Sequence, residues 1–150
     1  MNVARKTAII AAGYLIACTV ASVLTVAGML APTALPDGGR NGSIYASIGD
    51  LAPGAALGLF YTLLCAWPGF IVAIGLGERH GWGRWRDYAL AGTANVAPSM
   101  LVFAMMFASP FEMPLMMLAS IPGGFAGGAA YWFSAGWLIA RWRTIAAEAA

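Results

Sequence analysis

The sequence predicts an all-α integral membrane protein with four transmembrane helices, and three observations carry that prediction. Of the 150 residues, 61% are hydrophobic and only 9% are charged, against about 25% charged in an ordinary soluble domain. The charges fall in short clusters: Arg5 and Lys6; Asp37, Arg40 and Asp50; Glu78 to Asp87; Glu112; and Arg141, Arg143 and Glu148. The uncharged stretches between them, 7–31, 51–77, 88–108 and 113–140, each exceed the roughly 20 apolar residues a spanning helix needs. Nineteen glycines are no obstacle, because unpaired backbone groups are so costly in lipid that a Gly-rich segment stays helical there.

The chain reads as a single membrane domain, 1–150. The longest stretch outside the spans, 32–50, is too short to hold an independent core. Seven of the eight Lys and Arg residues lie beside the N-terminus, the loop from Glu78 to Asp87 and the C-terminus. By the positive-inside rule these three segments face the cytoplasm, so both termini lie inside, in a cytoplasmic membrane of bacterial type. The first span, with Arg5 and Lys6 before it, is too long for a signal peptide and reads as a signal anchor. The net charge of +2 is confined to the membrane borders, which excludes nucleic acid as a partner class. The bilayer, further membrane subunits or further copies of the chain remain.

Trp82, Trp85, Tyr88, Trp137 and Trp142 gather where the cytoplasmic interface belongs, as amphipathic rings do. Two triplets, Arg84-Trp85-Arg86 and Arg141-Trp142-Arg143, combine such rings with guanidinium groups and can contact anionic headgroups. Ordinary anchoring at the interface is the simpler reading of them.

The second and fourth spans echo each other. Pro53-Gly54, Gly58, Tyr61 and Trp67 in one match Pro122-Gly123, Gly127, Tyr131 and Trp137 in the other, and prolines 32 and 36 before one match 110 and 114 before the other. The echo suggests a 2+2 parallel repeat about an axis along the membrane normal; a chain this rich in Gly and Pro can also produce it by chance. It sets the start of the fourth helix at Ser120, an N-cap with Pro122 in the first turn, as Asp50 does with Pro53. The spans then run 7–31, 51–77, 88–108 and 120–140. Residues 111–119 become a short apolar interfacial segment before the fourth helix; the alternative is one longer helix broken at Pro122-Gly123-Gly124.

Gly123, Gly124, Gly127 and Gly128 give the fourth helix a face without side chains, the feature that lets membrane helices approach closely. Gly54 with Gly58, and Gly13 with Ala17 and Ala21, offer matching surfaces. Asn95 is the most polar side chain in any span, and Pro98 frees the carbonyl of Ala94. With Ser99 and Thr93 it forms either an intramembrane polar site or simple interhelical hydrogen bonds.

No Asp, Glu, Lys, Arg or His lies within any predicted span, which argues against proton-coupled transport. His80 is alone, so no triad, zinc or haem site can be assembled around it. Cys18 and Cys65 read as small buried hydrophobes. Six methionines between Met100 and Met117 raise Cu(I), but without His or Cys beside them they read as packing residues. No cofactor is implied, and neither is an enzyme. The functional expectation is a small accessory or assembly protein that packs through its Gly-rich face against itself or other subunits. The alternative is a homo-oligomeric channel or uncoupled facilitator, with a path near Asn95, Pro98 and the Pro122–Gly124 break. A reporter enzyme fused after Ala150 is expected to be active only in the cytoplasm; activity confined to the other side would overturn the orientation.

Overall fold

In the computed structural model, residues 3–30, 48–107 and 113–148 are described. They are all-helical: α1 (Val3–Leu30), α2 (Ile48–His80), α3 (Trp85–Ala94), α4 (Val96–Phe107), α5 (Met113–Tyr131), a π-helical turn (Trp132–Gly136) and α6 (Trp137–Glu148). Three helical stretches are long and apolar enough to cross a membrane: Val3–Gly28, Ala52–His80 and Trp85–Met106. The third contains the join between α3 and α4. There the Asn95 N–H still bonds the Ala91 carbonyl and the Ser99 N–H the Asn95 carbonyl, while Pro98 has no N–H to offer Ala94.

The fourth helix departs from the sequence reading. It does not start at Ser120 after an interfacial segment, and it is not broken at Pro122-Gly123-Gly124. It begins at Met113 and passes through Pro122 without interruption. Ser120 is no N-cap, because its hydroxyl donates to the Met116 carbonyl one turn back. The proline is tolerated because close packing on both sides fixes the backbone. Asp50 likewise falls inside α2, two residues after its start, a difference within the usual uncertainty of helix ends. Ala31, Ala108, Phe111, Glu112 and prolines 32, 36 and 110 lie outside the described residues.

The fourth helix is irregular elsewhere, at Trp132–Gly136, where the N–H of Trp137 bonds the carbonyl of Trp132 five residues back. The wider turn leaves Ala135 and Gly136 buried and lets the Trp132 indole donate to the Gly83 carbonyl at 3.2 Å.

Helix α5 lies between α1 and α3 and packs on both; α2 packs on α1 and α4. The glycines set this arrangement. A Cβ on Gly123 would overlap Thr25 Oγ1 and lie 2.7 Å from the Ala21 carbonyl oxygen, and one on Gly127 would lie 2.9 Å from that of Ala17. On the neighbouring face, a Cβ on Gly124 would lie 2.7 Å from the Gly92 carbonyl oxygen and one on Gly128 would strike that of Tyr88. Gly54 and Gly58 face Val26 and Ser22 of α1. The repeat is therefore not followed by these contacts: its aligned pairs, Gly54/Gly58 and Gly123/Gly127, both approach α1, whereas a 2+2 repeat would set the second pair against α3.

One end of the bundle gathers the start of α1, the end of α2, the start of α3 and α6. Lys6 pairs with Glu78, and the Arg5 guanidinium lies 5.7 Å from the Trp142 ring centroid. The turn into α3 passes through Gly81 at φ 66°, a conformation that side chains disfavour, and the Trp82 N–H closes it on the Gly77 carbonyl. Above this end runs a ladder of rings from all the principal helices. Tyr14 and Phe70 are 4.3 Å apart, Phe70 and Tyr131 5.1 Å, Tyr131 and Tyr88 5.5 Å, and Tyr88 and Trp82 5.8 Å.

Gly124→Ala and Gly127→Leu are expected to cost about 1–3 kcal/mol as overpacking substitutions, read as earlier thermal unfolding in detergent. Gly75→Ala is the control: a Cβ there meets nothing within 4 Å, so the protein should be unchanged or slightly more stable.

Candidate functional site

Because α5 is drawn onto α1 and α3 while α2 stands against α1 and α4, the bundle does not close on its axis. Between the helices lies a slot of about 360 Å³. Its lining extends on α1 from Tyr14 to Val26, on α2 from Gly54 to Ile74 and on α5 from Met116 to Tyr131. At 1.5 Å per residue these runs are about 18, 30 and 22 Å long, so the slot is elongated along the helices. The ring ladder closes it toward the Trp82 end, and Tyr61 and Phe103, 5.6 Å apart, stand further along. Among the described lining residues none is Asp, Glu, Lys, Arg or His.

The polar groups of the wall are mostly satisfied by backbone. Ser22 donates to the Ala55 carbonyl and Ser120 to that of Met116. Two longer reaches converge on α2 near Pro68. The Tyr14 hydroxyl donates to the Leu63 carbonyl at 2.9 Å, and Asn95 Nδ2 donates to that of Ala66 at 3.1 Å. Proline inside a membrane helix disturbs the preceding turn, and neighbouring polar side chains commonly take up the loosened carbonyls. Among the described residues Asn95 Oδ1 is buried without a partner, and it sits where a Cβ on Gly69 would be. Gly69 thus makes room for the amide.

The Asn95, Ser99 and Thr93 group does not converge on one point. Asn95 crosses to α2, Ser99 donates to the Asn95 carbonyl, and Thr93 donates to the Ala89 carbonyl on its own helix. Asn95 and Ser99 line the slot; Thr93 does not. Cys18 and Cys65 do line it, buried and free, and so do Tyr14, Tyr61 and Tyr131, none of which the sequence singled out as site residues. Their signal was available only as aromatic and thiol positions inside spans, without the interhelical register that brings them together. Of the methionines, Met100 and Met116 face the slot, whereas Met105, Met106 and Met117 point outward. Among the described residues no group of three or more His, Cys, Asp or Glu side chains gathers. His80 Nδ1 lies 3.0 Å from the Leu76 carbonyl on its own helix.

At the charged end, Arg84, Trp85 and Arg86 are exposed and border a shallow groove with Trp132. Arg86 lies 5.8 Å from the Trp85 ring and Arg141 5.7 Å from the Trp137 ring. Trp142 is under Arg5. The Arg143 side chain lies outside the described residues. Gly123, Gly124, Gly127 and Gly128 meet α1 and α3 of the same chain, so this face is occupied internally.

Fold and site together define an all-helical bundle, three of whose helical stretches are long and apolar enough to cross a membrane, with a slot whose described lining carries no charged side chain. No protein-family model matches the chain, and neither a curated protein nor a solved structure shows detectable similarity to it.

Gly69→Ala should destabilise the protein by displacing Asn95, and should cost much less in an Asn95→Ala background. Thermal denaturation of the two single variants and the double variant is expected to give a coupling of about 0.5–3 kcal/mol; strict additivity would separate the two residues.

Proposed function

We propose that this protein crosses the membrane four times, with Met113–Tyr131 and the turn after it as the fourth crossing, and binds a neutral, elongated, largely apolar molecule in the slot. The observation that carries the reading is the slot itself. Its volume of about 360 Å³ falls in the range of small-molecule sites, which are mainly apolar with a few placed polar groups. A charged ligand is disfavoured, since a charge in the membrane interior is costly without a partner. The fourth crossing is supported by the packing of α5 against α1 and α3, since α1 and the α3–α4 stretch are of sufficient length and hydropathy. The positive-inside pattern supports cytoplasmic termini and a bacterial inner membrane.

Binding is preferred to an assembly role because the glycine faces on which assembly was expected to rest are used within the chain. It is preferred to the channel because Pro98 is turned outward and α5 has no break at Pro122–Gly124. Native mass spectrometry of protein extracted from its own membrane in mild detergent is expected to show a stoichiometric neutral lipophile. Filling the slot with Cys65→Phe should abolish its retention. A chain that carries no such molecule and instead retains other membrane subunits would reverse the assignment in favour of assembly.

A further inference from the structure

Five of the six tryptophans lie in or beyond the Trp82 turn; the sixth, Trp67, does not. It precedes Gly77 by ten residues, about 15 Å of helix, which is half the hydrocarbon thickness of about 30 Å. Its side chain is 52% exposed on the outside of α2, and among the described residues no hydrogen bond reaches its indole. Tryptophan prefers the headgroup zone, where its N–H finds a partner. At the midplane facing lipid it finds none.

The same face holds a matching acceptor. Pro68 lies inside the continuous helix α2 and has no N–H for the Leu64 carbonyl, whose helical hydrogen bond is therefore missing. Leu64 and Pro68 are both exposed, so a donor and an acceptor lie within one turn of each other on the lipid side. Around them Leu57, Phe60, Leu64, Trp67 and Ile71 are all exposed. Their spacing alternates three and four residues, the pattern of a seam that packs against another helix with a left-handed crossing.

We propose that this face binds a second copy of the chain through a two-fold axis along the membrane normal. Both copies cross in the same direction, so the two α2 helices run parallel and in register. The axis places each Trp67 N–H at the depth of the other copy's Leu64 carbonyl. The complementarity is thus with itself, as an isologous interface requires, and two interhelical hydrogen bonds replace four unpaired groups. This interface is on the opposite side of α2 from the slot and does not depend on what the slot binds.

The test is the oligomeric state of the full chain in liposomes, read by single-molecule photobleaching over a range of protein densities. The protein should be dimeric. Trp67→Phe, which removes the N–H together with part of the ring, and Pro68→Ala, which returns a donor to Leu64, should each weaken the dimer roughly five- to tenfold without lowering thermal stability. Phe60→Cys should form a disulfide-linked dimer on oxidation and Leu101→Cys, exposed elsewhere, should not; Cys18 and Cys65 are buried and do not contribute. A monomer at every density, a dimer equally tight in both variants, or cross-linking at Leu101 rather than Phe60 would overturn the proposal.

Discussion

The structure depends on the contact of α5 with two helix backbones at once. Lipid offers no hydrophobic drive for helices to associate, so close packing must supply the energy. Adjacent glycine pairs do this along two neighbouring faces of α5, with Gly123 and Gly127 against α1 and Gly124 and Gly128 against α3. Each pair brings backbone carbonyls to distances at which a single methyl group would be in conflict. The Pro122 backbone inherits its continuity from this clamp, since both flanks are held where a free proline-bearing helix would bend.

The slot follows from the same asymmetry. Helix α5 closes tightly on α1 and α3 through glycine, while α2 meets it through the edges of Phe70 and Tyr131. The space left is bordered by Tyr, Cys, Ser and Asn side chains whose polar atoms mostly return to backbone carbonyls. Such a wall presents little uncompensated polarity.

Much of the architecture was legible because lipid makes composition decisive: uncharged runs located α1, α2 and the α3–α4 stretch, and charge clusters located their ends. The packing role of Gly123 to Gly128 could be anticipated from the absence of side chains, but not its partners, which depend on the rotation of each helix. The site was less legible. Asn95 stood out by polarity, yet its link to Ala66 requires the space left by Gly69, which belongs to another helix. Pro122 misled because proline weakens a helix locally, and the compensation comes from α1 and α3, distant in the chain. The proline–glycine echo misled for a related reason: matching letters do not fix which way a helix face is turned.

The π turn at Trp132–Gly136 has a further consequence. A wide turn of this kind holds one residue more than a regular helix needs, and each residue advances a helix by about 100°. It therefore works as a phase adjuster between two halves of one rod. The half before it keeps its glycines toward α1 and α3, while the half after it is free to set Trp142 beneath Arg5 and Arg141 beside Trp137. A lineage that lost one residue here would keep the packed half and swing the other half away from Arg5, so selection can re-aim α6 without disturbing the bundle.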